Sequence, residues 1–212
     1  MAIEELFSSH VVLVDSRDDH ADDSLLWPEE RAALGEVVPG RWWDWVTGRR
    51  CARRAFTVLG VDPAPVLRRP KREPRWQPEV VGAITHTAGY AAAAVARAGD
   101  VRSIGLDAEP DQPLPDGVLR RIARDEELDW VASGVSGVAN ADRLLFSVKE
   151  SIYKAWFPVA ERWLGFDEAS VEVDQAGGLF RAEILVDGPL SSVTGRYTSV
   201  GGIVVTAIEV PG

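Results

Sequence analysis

Apolar and polar positions repeat with two different periods along the chain. In RWWDWVTGRRCARRAFTVLG, residues 41 to 60, apolar and basic residues alternate by helical turns, and Gly60 followed by Pro63 predicts the helix end. The following DPAPVLRRPKREPRWQPE carries five prolines and predicts a stiff, extended loop bearing Lys71. VVGAITH and YAAAAVAR, separated by a turn at Ala88 and Gly89, predict a β-hairpin despite the helical preference of alanine. RSIGLDAE alternates Ile104 and Leu106 with smaller or polar residues, the period of a strand. Residues 118 to 131 and 141 to 157 have helical periodicity. VEVD, LFRAEILVD, TGRYTS and GIVVTAIEV, with glycine and proline at their joints, predict a C-terminal antiparallel sheet.

Helices and strands thus occur in both halves, 1–105 and 106–212, and the predicted class is α+β. No sequence repeat relates the halves, and the proline-rich joint near residues 110 to 117 is too short to separate mobile domains. Composition narrows the class further. Hydrophobic residues make up 46% and charged residues 26% of the 212 residues, values of a globular rather than a disordered chain. No run approaches the roughly 18 apolar residues of a membrane span, and the N-terminus lacks the basic start and apolar core of a signal peptide, so a cytoplasmic protein is expected. One cysteine, Cys51, and three histidines, His10, His20 and His86, offer no zinc cluster, so any metal is expected to be a hard cation on carboxylate oxygens.

A net charge of −10 argues against general nucleic-acid binding. The charge is unevenly placed, however. From Arg41 to Arg75 there are ten basic residues against three acidic ones, a local excess of seven that suggests an anion site or, more plainly, a solvated helix face. Arg49 and Arg53 lie four apart and share a helix face, as do Arg50 and Arg54. Asp107 and Glu109 project from the same side of a strand and repel each other unless a cation or proton intervenes; two solvated acids at a strand end are the simpler alternative. Two of the three lysines, Lys149 and Lys154, fall in FSVKESIYKAW, where arginine fills nearly every other basic position of the chain. A surface pair between Glu150 and Lys154 accounts for the spacing, but a compact ammonium that can approach a phosphate oxygen better accounts for the residue type. His86, between Thr85 and Thr87, is either a satisfied structural histidine or a phosphate contact.

The succession of a basic helix, the K-x-x-P loop at Lys71, THTAGY, GLDAE and FSVKESIYKA resembles the 4′-phosphopantetheinyl transferases of the Sfp/EntD type, over residues 40 to 166 or so. The GLDAEP, YKAWFP and RWLGF segments look most like actinobacterial members serving fatty-acid, polyketide and siderophore synthases. The resemblance implies two similar α/β halves related by a pseudo-twofold axis, with coenzyme A as co-substrate in the cleft between them. It implies Mg²⁺ held by Asp107, Glu109 and Glu150, catalysis by Glu150 and Lys154, and Lys149 and Lys154 beside the pyrophosphate. Arg49, Arg53, Lys71 and His86 are expected at the phosphates of coenzyme A, chiefly the 3′-phosphate, with Thr85 supplying a hydroxyl. The implied activity is that of a holo-[acyl-carrier-protein] synthase, which moves the 4′-phosphopantetheine arm to a serine of an apo acyl or peptidyl carrier protein and releases 3′,5′-ADP. A monomer is expected. A Mg²⁺-dependent nucleotide phosphohydrolase and a non-catalytic coenzyme A-binding module are the alternatives.

Overall fold

The computed structural model describes residues 2–17, 26–35, 38–71, 73–87, 89–174 and 178–212; His20, Arg72 and Ala88 lie outside the described residues. The chain forms two compact units. One is Ser9–Val101 with Gly212, and the other is Arg102–Pro211 with the residues up to Ser8. The residues up to Ser8 therefore group with the C-terminal unit. Ser8 is held there through its backbone N–H and its hydroxyl, both donating to the Glu209 carboxylate at 3.0 and 2.7 Å.

The first unit contains β1 (Val12–Ser16), α1 (Pro28–Leu34), α2 (Pro39–Leu59), β2 (Leu67–Arg68), β3 (Pro74–Arg75), β4 (Val80–Thr87) and β5 (Tyr90–Arg97). The predicted helix and hairpin are both present. Gly60 ends α2 in the left-handed region at φ 70°, donating its N–H to Phe56 and Thr57. In the hairpin, Thr87 faces Tyr90 and Val80 faces Arg97. β1, which the pattern did not predict, adds to the far edge of β5 in the order β1-β5-β4. Ala91 to Ala94 and Ala96 are fully buried in this central strand. A strand covered on both faces has no polar face to alternate with, and small side chains suit it. Ala52, Ala55 and Phe56 of α2 pack with Ala93 and Val95 of the sheet.

The second unit contains β6 (Val101–Pro110), α3 (Leu119–Ile122), α4 (Asp125–Ser133), α5 (Ala141–Ala160), β7 (Ala169–Asp174), β8 (Leu179–Ile184), β9 (Ser192–Val200) and β10 (Ile203–Pro211). Its sheet runs β6-β10-β9-β8-β7, and the pairings β7 with β8, β8 with β9 and β9 with β10 are antiparallel. The single helix expected over 118–131 is broken into α3 and α4. Ala123 and Arg124 between them are extended, and the Glu127 carboxylate accepts the Arg124 N–H at 2.7 Å, starting a new helix. α5 lays Leu144, Leu145, Val148, Ile152 and Trp156 into the core. Each unit thus places one long helix on an antiparallel sheet, three-stranded in the first and five-stranded in the second. No helix among the described residues is long and apolar enough to cross a membrane.

Gly195 in β9 marks a tight point of the larger sheet, where an added Cβ would overlap the Phe180 ring and the Ala207 carbonyl. Gly195→Ala is expected to lower stability by about 1–3 kcal/mol through overpacking. A urea titration checks this, with a lower midpoint and an unchanged slope.

Candidate active site

The carboxylates singled out by the sequence lie where β6 meets α5. Gly105 sets this approach, since a Cβ there would overlap the Ser151 carbonyl and crowd Ala155. Two residues earlier, the buried Ser103 hydroxyl donates to the Ala155 carbonyl at 2.7 Å. One residue beyond Gly105, the Lys154 ammonium donates to the Leu106 carbonyl at 3.0 Å and to Asp107 Oδ1 at 2.7 Å. Strand and helix therefore touch at backbone distance, and that contact delivers Lys154 to Asp107.

Negative charge is concentrated there. Asp107 is buried, and its charge together with burial acts on both other carboxylates. Glu109 is pushed up to about 7, first by burial and then by Asp107, with Arg143 opposing. Glu150 is raised by burial and then by Asp107, with Lys154 opposing. Two cations balance the group. Besides Lys154, Arg143 bonds Glu109 Oε2 at 3.0 Å and donates to the carbonyls of Gln112 and Pro113, each at 3.0 Å. Among the described residues, no group of three or more His, Cys, Asp and Glu side chains is arranged to hold a metal ion. The side-chain cations instead face Asp107 and Glu109. The donor type nonetheless suits Mg²⁺, a hard cation bound through one or more carboxylates and its ligand's phosphates.

Lys149 is placed differently from expectation. Its ammonium contacts Glu127 Oε2 at 2.7 Å and donates to the carbonyls of Ile122, Phe166 and Ala169 at 2.8, 2.7 and 3.2 Å, with the side chain only 2% exposed. Three N–H groups meet four acceptors there, so the ammonium expected beside the pyrophosphate has all its donors directed into the protein. Burial lowers its pKa, with Glu127 opposing. Beside Glu150 is a small cavity of about 70 Å³ whose walls include Tyr153, Trp163, Leu164 and Phe166. A larger groove of about 870 Å³, between residues 5 to 8 and the strands β7 to β10, shares none of these residues.

In the first unit, Arg49 and Arg53 gather at the fully buried Glu30. Arg53 Nη1 lies 2.6 Å from Glu30 Oε2, while Arg49, mostly buried, donates to the Val66 and Trp45 carbonyls. Burial pulls the Arg49 guanidinium down to about 9, against the pull of Glu30. Arg49 and Arg68 both lie over the Trp45 ring, 3.0 and 4.1 Å from its centre. His86 Nδ1 is 3.3 Å from Asp44 Oδ2, one residue before Trp45 in α2. Thr85 is buried beside it, and Lys71 is exposed in the turn between β2 and β3. Sequence reasoning missed Arg68, Trp45, Glu30, Glu127 and Arg143. Glu30 and Glu127 each stand third in a short helix, a position a capping pattern signals, but nothing local announces that they are buried.

Residues 29–96 match a family profile described as the 4′-phosphopantetheinyl transferase N-terminal domain, and residues 103–202 match one described as the 4′-phosphopantetheinyl transferase superfamily. The chain belongs to this superfamily. One profile falls in each compact unit. The transferase is 44% identical over 218 residues to the 4′-phosphopantetheinyl transferase Svp of Streptomyces mobaraensis, covering 98% of this chain and 89% of that protein. It is 44% identical over 191 residues to PptT of Mycobacterium tuberculosis, covering 85% of this chain and 84% of that protein. With Npt of Nocardia iowensis the identity is 39% over 204 residues, covering 90% and 91%.

In this transferase the approach at Gly105 is expected to limit activity more than stability. Gly105→Ala forces β6 and α5 apart and separates Asp107 from Lys154, while the core beneath α5 can relax. Turnover is expected to fall about 10²-fold, with thermal unfolding still cooperative. Steady-state rates and a melting curve on the same sample check this.

Proposed function

We propose that this transferase moves the 4′-phosphopantetheine arm of coenzyme A onto a serine hydroxyl of an apo acyl or peptidyl carrier protein, releasing 3′,5′-ADP. The observation that carries this is Lys154 held 2.7 Å from the buried Asp107, whose charge acts on Glu109 and Glu150, with Glu150 in the wall of a narrow cavity. Family membership sets the reaction class, and the chemistry of these residues suits it.

Glu150 is the group assigned to accept the serine proton. Burial and the charge of Asp107 raise its affinity for a proton, which makes it a better base than a solvated carboxylate. The serine oxygen bonds to the pantetheine-side phosphorus while the bond from that phosphorus to the bridging oxygen breaks. The pair of electrons in that bond leaves with 3′,5′-ADP. Lys154, fixed between the Leu106 carbonyl and Asp107, is assigned to the charge that grows on the departing phosphate. Mg²⁺, for which Asp107, Glu109 and Glu150 are the proposed ligands, supplies Lewis-acid neutralisation of the pyrophosphate when bound. Arg49, Arg53, Lys71, Thr85 and His86, with Arg68 added, are assigned to the remote phosphates. A slot walled by Tyr153, Trp163 and Phe166 suits the slender amide arm rather than a phosphate.

The deciding experiment incubates the protein with coenzyme A, Mg²⁺ and an apo carrier protein and weighs the carrier. A phosphopantetheine increment supports transfer. 3′,5′-ADP formed without carrier modification indicates a hydrolase, and no product indicates a binding module. Glu150→Gln is expected to lower transfer by at least about 10²-fold with the fold retained. Lys154→Arg should bind coenzyme A nearly as the parent does but turn over roughly tenfold more slowly. A planar fork fits poorly where a compact ammonium meets one carbonyl and one carboxylate. Calorimetry and steady-state kinetics at saturating carrier separate these effects, and an unchanged kcat would remove Lys154 from the reaction.

A further inference from the structure

We infer that Glu127 and Lys149 are positioning residues for the pantetheine end of coenzyme A, an inference that rests on the transfer reaction proposed above. Lys149 precedes Glu150 on α5, and its ammonium reaches the Phe166 and Ala169 carbonyls at 2.7 and 3.2 Å. Phe166 and Ala169 line the cavity together with Trp163 and Leu164, all outside α5, whereas Lys149, Glu150, Ile152 and Tyr153 line it from that helix. One ammonium thus ties the helix that carries Glu150 to the part of the wall contributed by residues 163 to 169. Its counter-ion is tied down as firmly. Glu127 Oε2 takes Lys149 at 2.7 Å and the Arg124 N–H at 2.7 Å, and Oε1 takes the Val171 N–H at 2.8 Å, just beyond Ala169 in β7.

Burial of such a pair is not explained by stability. Both side chains are within 2% of complete burial, and replacing a buried ion pair by apolar groups is often neutral or stabilising. What an apolar pair cannot do is hold at fixed distances three carbonyls, of Ile122, Phe166 and Ala169, and two N–H groups, of Arg124 and Val171. The wall that depends on those bonds is the wall of the cavity. The first unit repeats the device at Glu30, which accepts the Trp27 and Val66 N–H groups and meets the Arg53 cation of α2.

3′,5′-ADP provides the internal control, because it has the adenosine phosphates of coenzyme A and lacks the arm. The test variant is Lys149→Met with Glu127→Gln, in which no buried charge is left unpaired and the amide oxygen keeps one of the two N–H bonds that Glu127 accepts from Arg124 and Val171. Calorimetry is expected to show 3′,5′-ADP binding unchanged within twofold and coenzyme A binding weakened about tenfold, with KM for coenzyme A rising more than kcat falls. Glu127→Asp, which keeps the charge and shortens its reach, is expected to give the same selective loss to a smaller extent and covers failure of the double variant to fold. Folded variants that bind coenzyme A as the parent does, or that lose both ligands alike, overturn the inference while leaving transfer by the parent intact. A parent that binds coenzyme A no more tightly than 3′,5′-ADP removes the arm from the cavity and the inference with it. Absence of carrier modification by the parent is the separate result that defeats the transfer reading.

Discussion

Each compact unit is held by a buried carboxylate that must meet a cation. Glu30 and Glu127 are fully buried, each stands third in a short helix, each caps the N-terminus of that helix, and each accepts a distant backbone N–H, Val66 just before β2 for Glu30 and Val171 in β7 for Glu127. An uncompensated charge at such depth costs several kcal/mol, so the long helix of each unit has to bring a basic side chain to it. Arg53 does so from α2 and Lys149 from α5. The short helix, the long helix and a distant backbone segment are thereby locked together by a single charge in each unit. The sheets themselves differ in strand number.

The same accounting of charge organises the reactive region. Asp107, Glu109 and Glu150 cannot all carry charge cheaply in a partly buried place, and burial with mutual repulsion raises the proton affinity of Glu109 and Glu150. Lys154 and Arg143 offset this with geometries that suit their shapes. The ammonium of Lys154 meets one carbonyl and one carboxylate, whereas the guanidinium of Arg143 spreads across two carbonyls and Glu109. Two lysines persist in α5 of an arginine-rich chain because both positions need a compact cation among carbonyls. Lys149 is closed in by three carbonyls and Glu127, whereas the Lys154 side chain remains partly exposed.

Much of this was legible in the chain itself. The end of α2 at Gly60, the hairpin around Gly89, the strand bearing Asp107 and Glu109 and the helix bearing Glu150 and Lys154 all follow from local periodicity and turn chemistry. The motifs at GLDAE and FSVKES were specific enough to indicate the family, which two profiles and three relatives bear out. What failed was local prediction under tertiary demand. The break between α3 and α4 answers to Glu127, and β1 exists because β5 has a second edge to satisfy.

Residue type and spacing determined which side chains can share a face, because those distances are set within a few residues by the pitch of a helix or the pleat of a strand. Tertiary structure decided which partner each charge takes. Lys149 is 22 residues from Glu127, and Arg53 is 23 from Glu30, separations over which no periodicity carries information. Burial, which converts an ordinary surface acid into a carboxylate that must be answered, is a property of the assembled core. For that reason the sequence could name Lys149 as a notable lysine, and only the packed structure could place it against Glu127 instead of a phosphate.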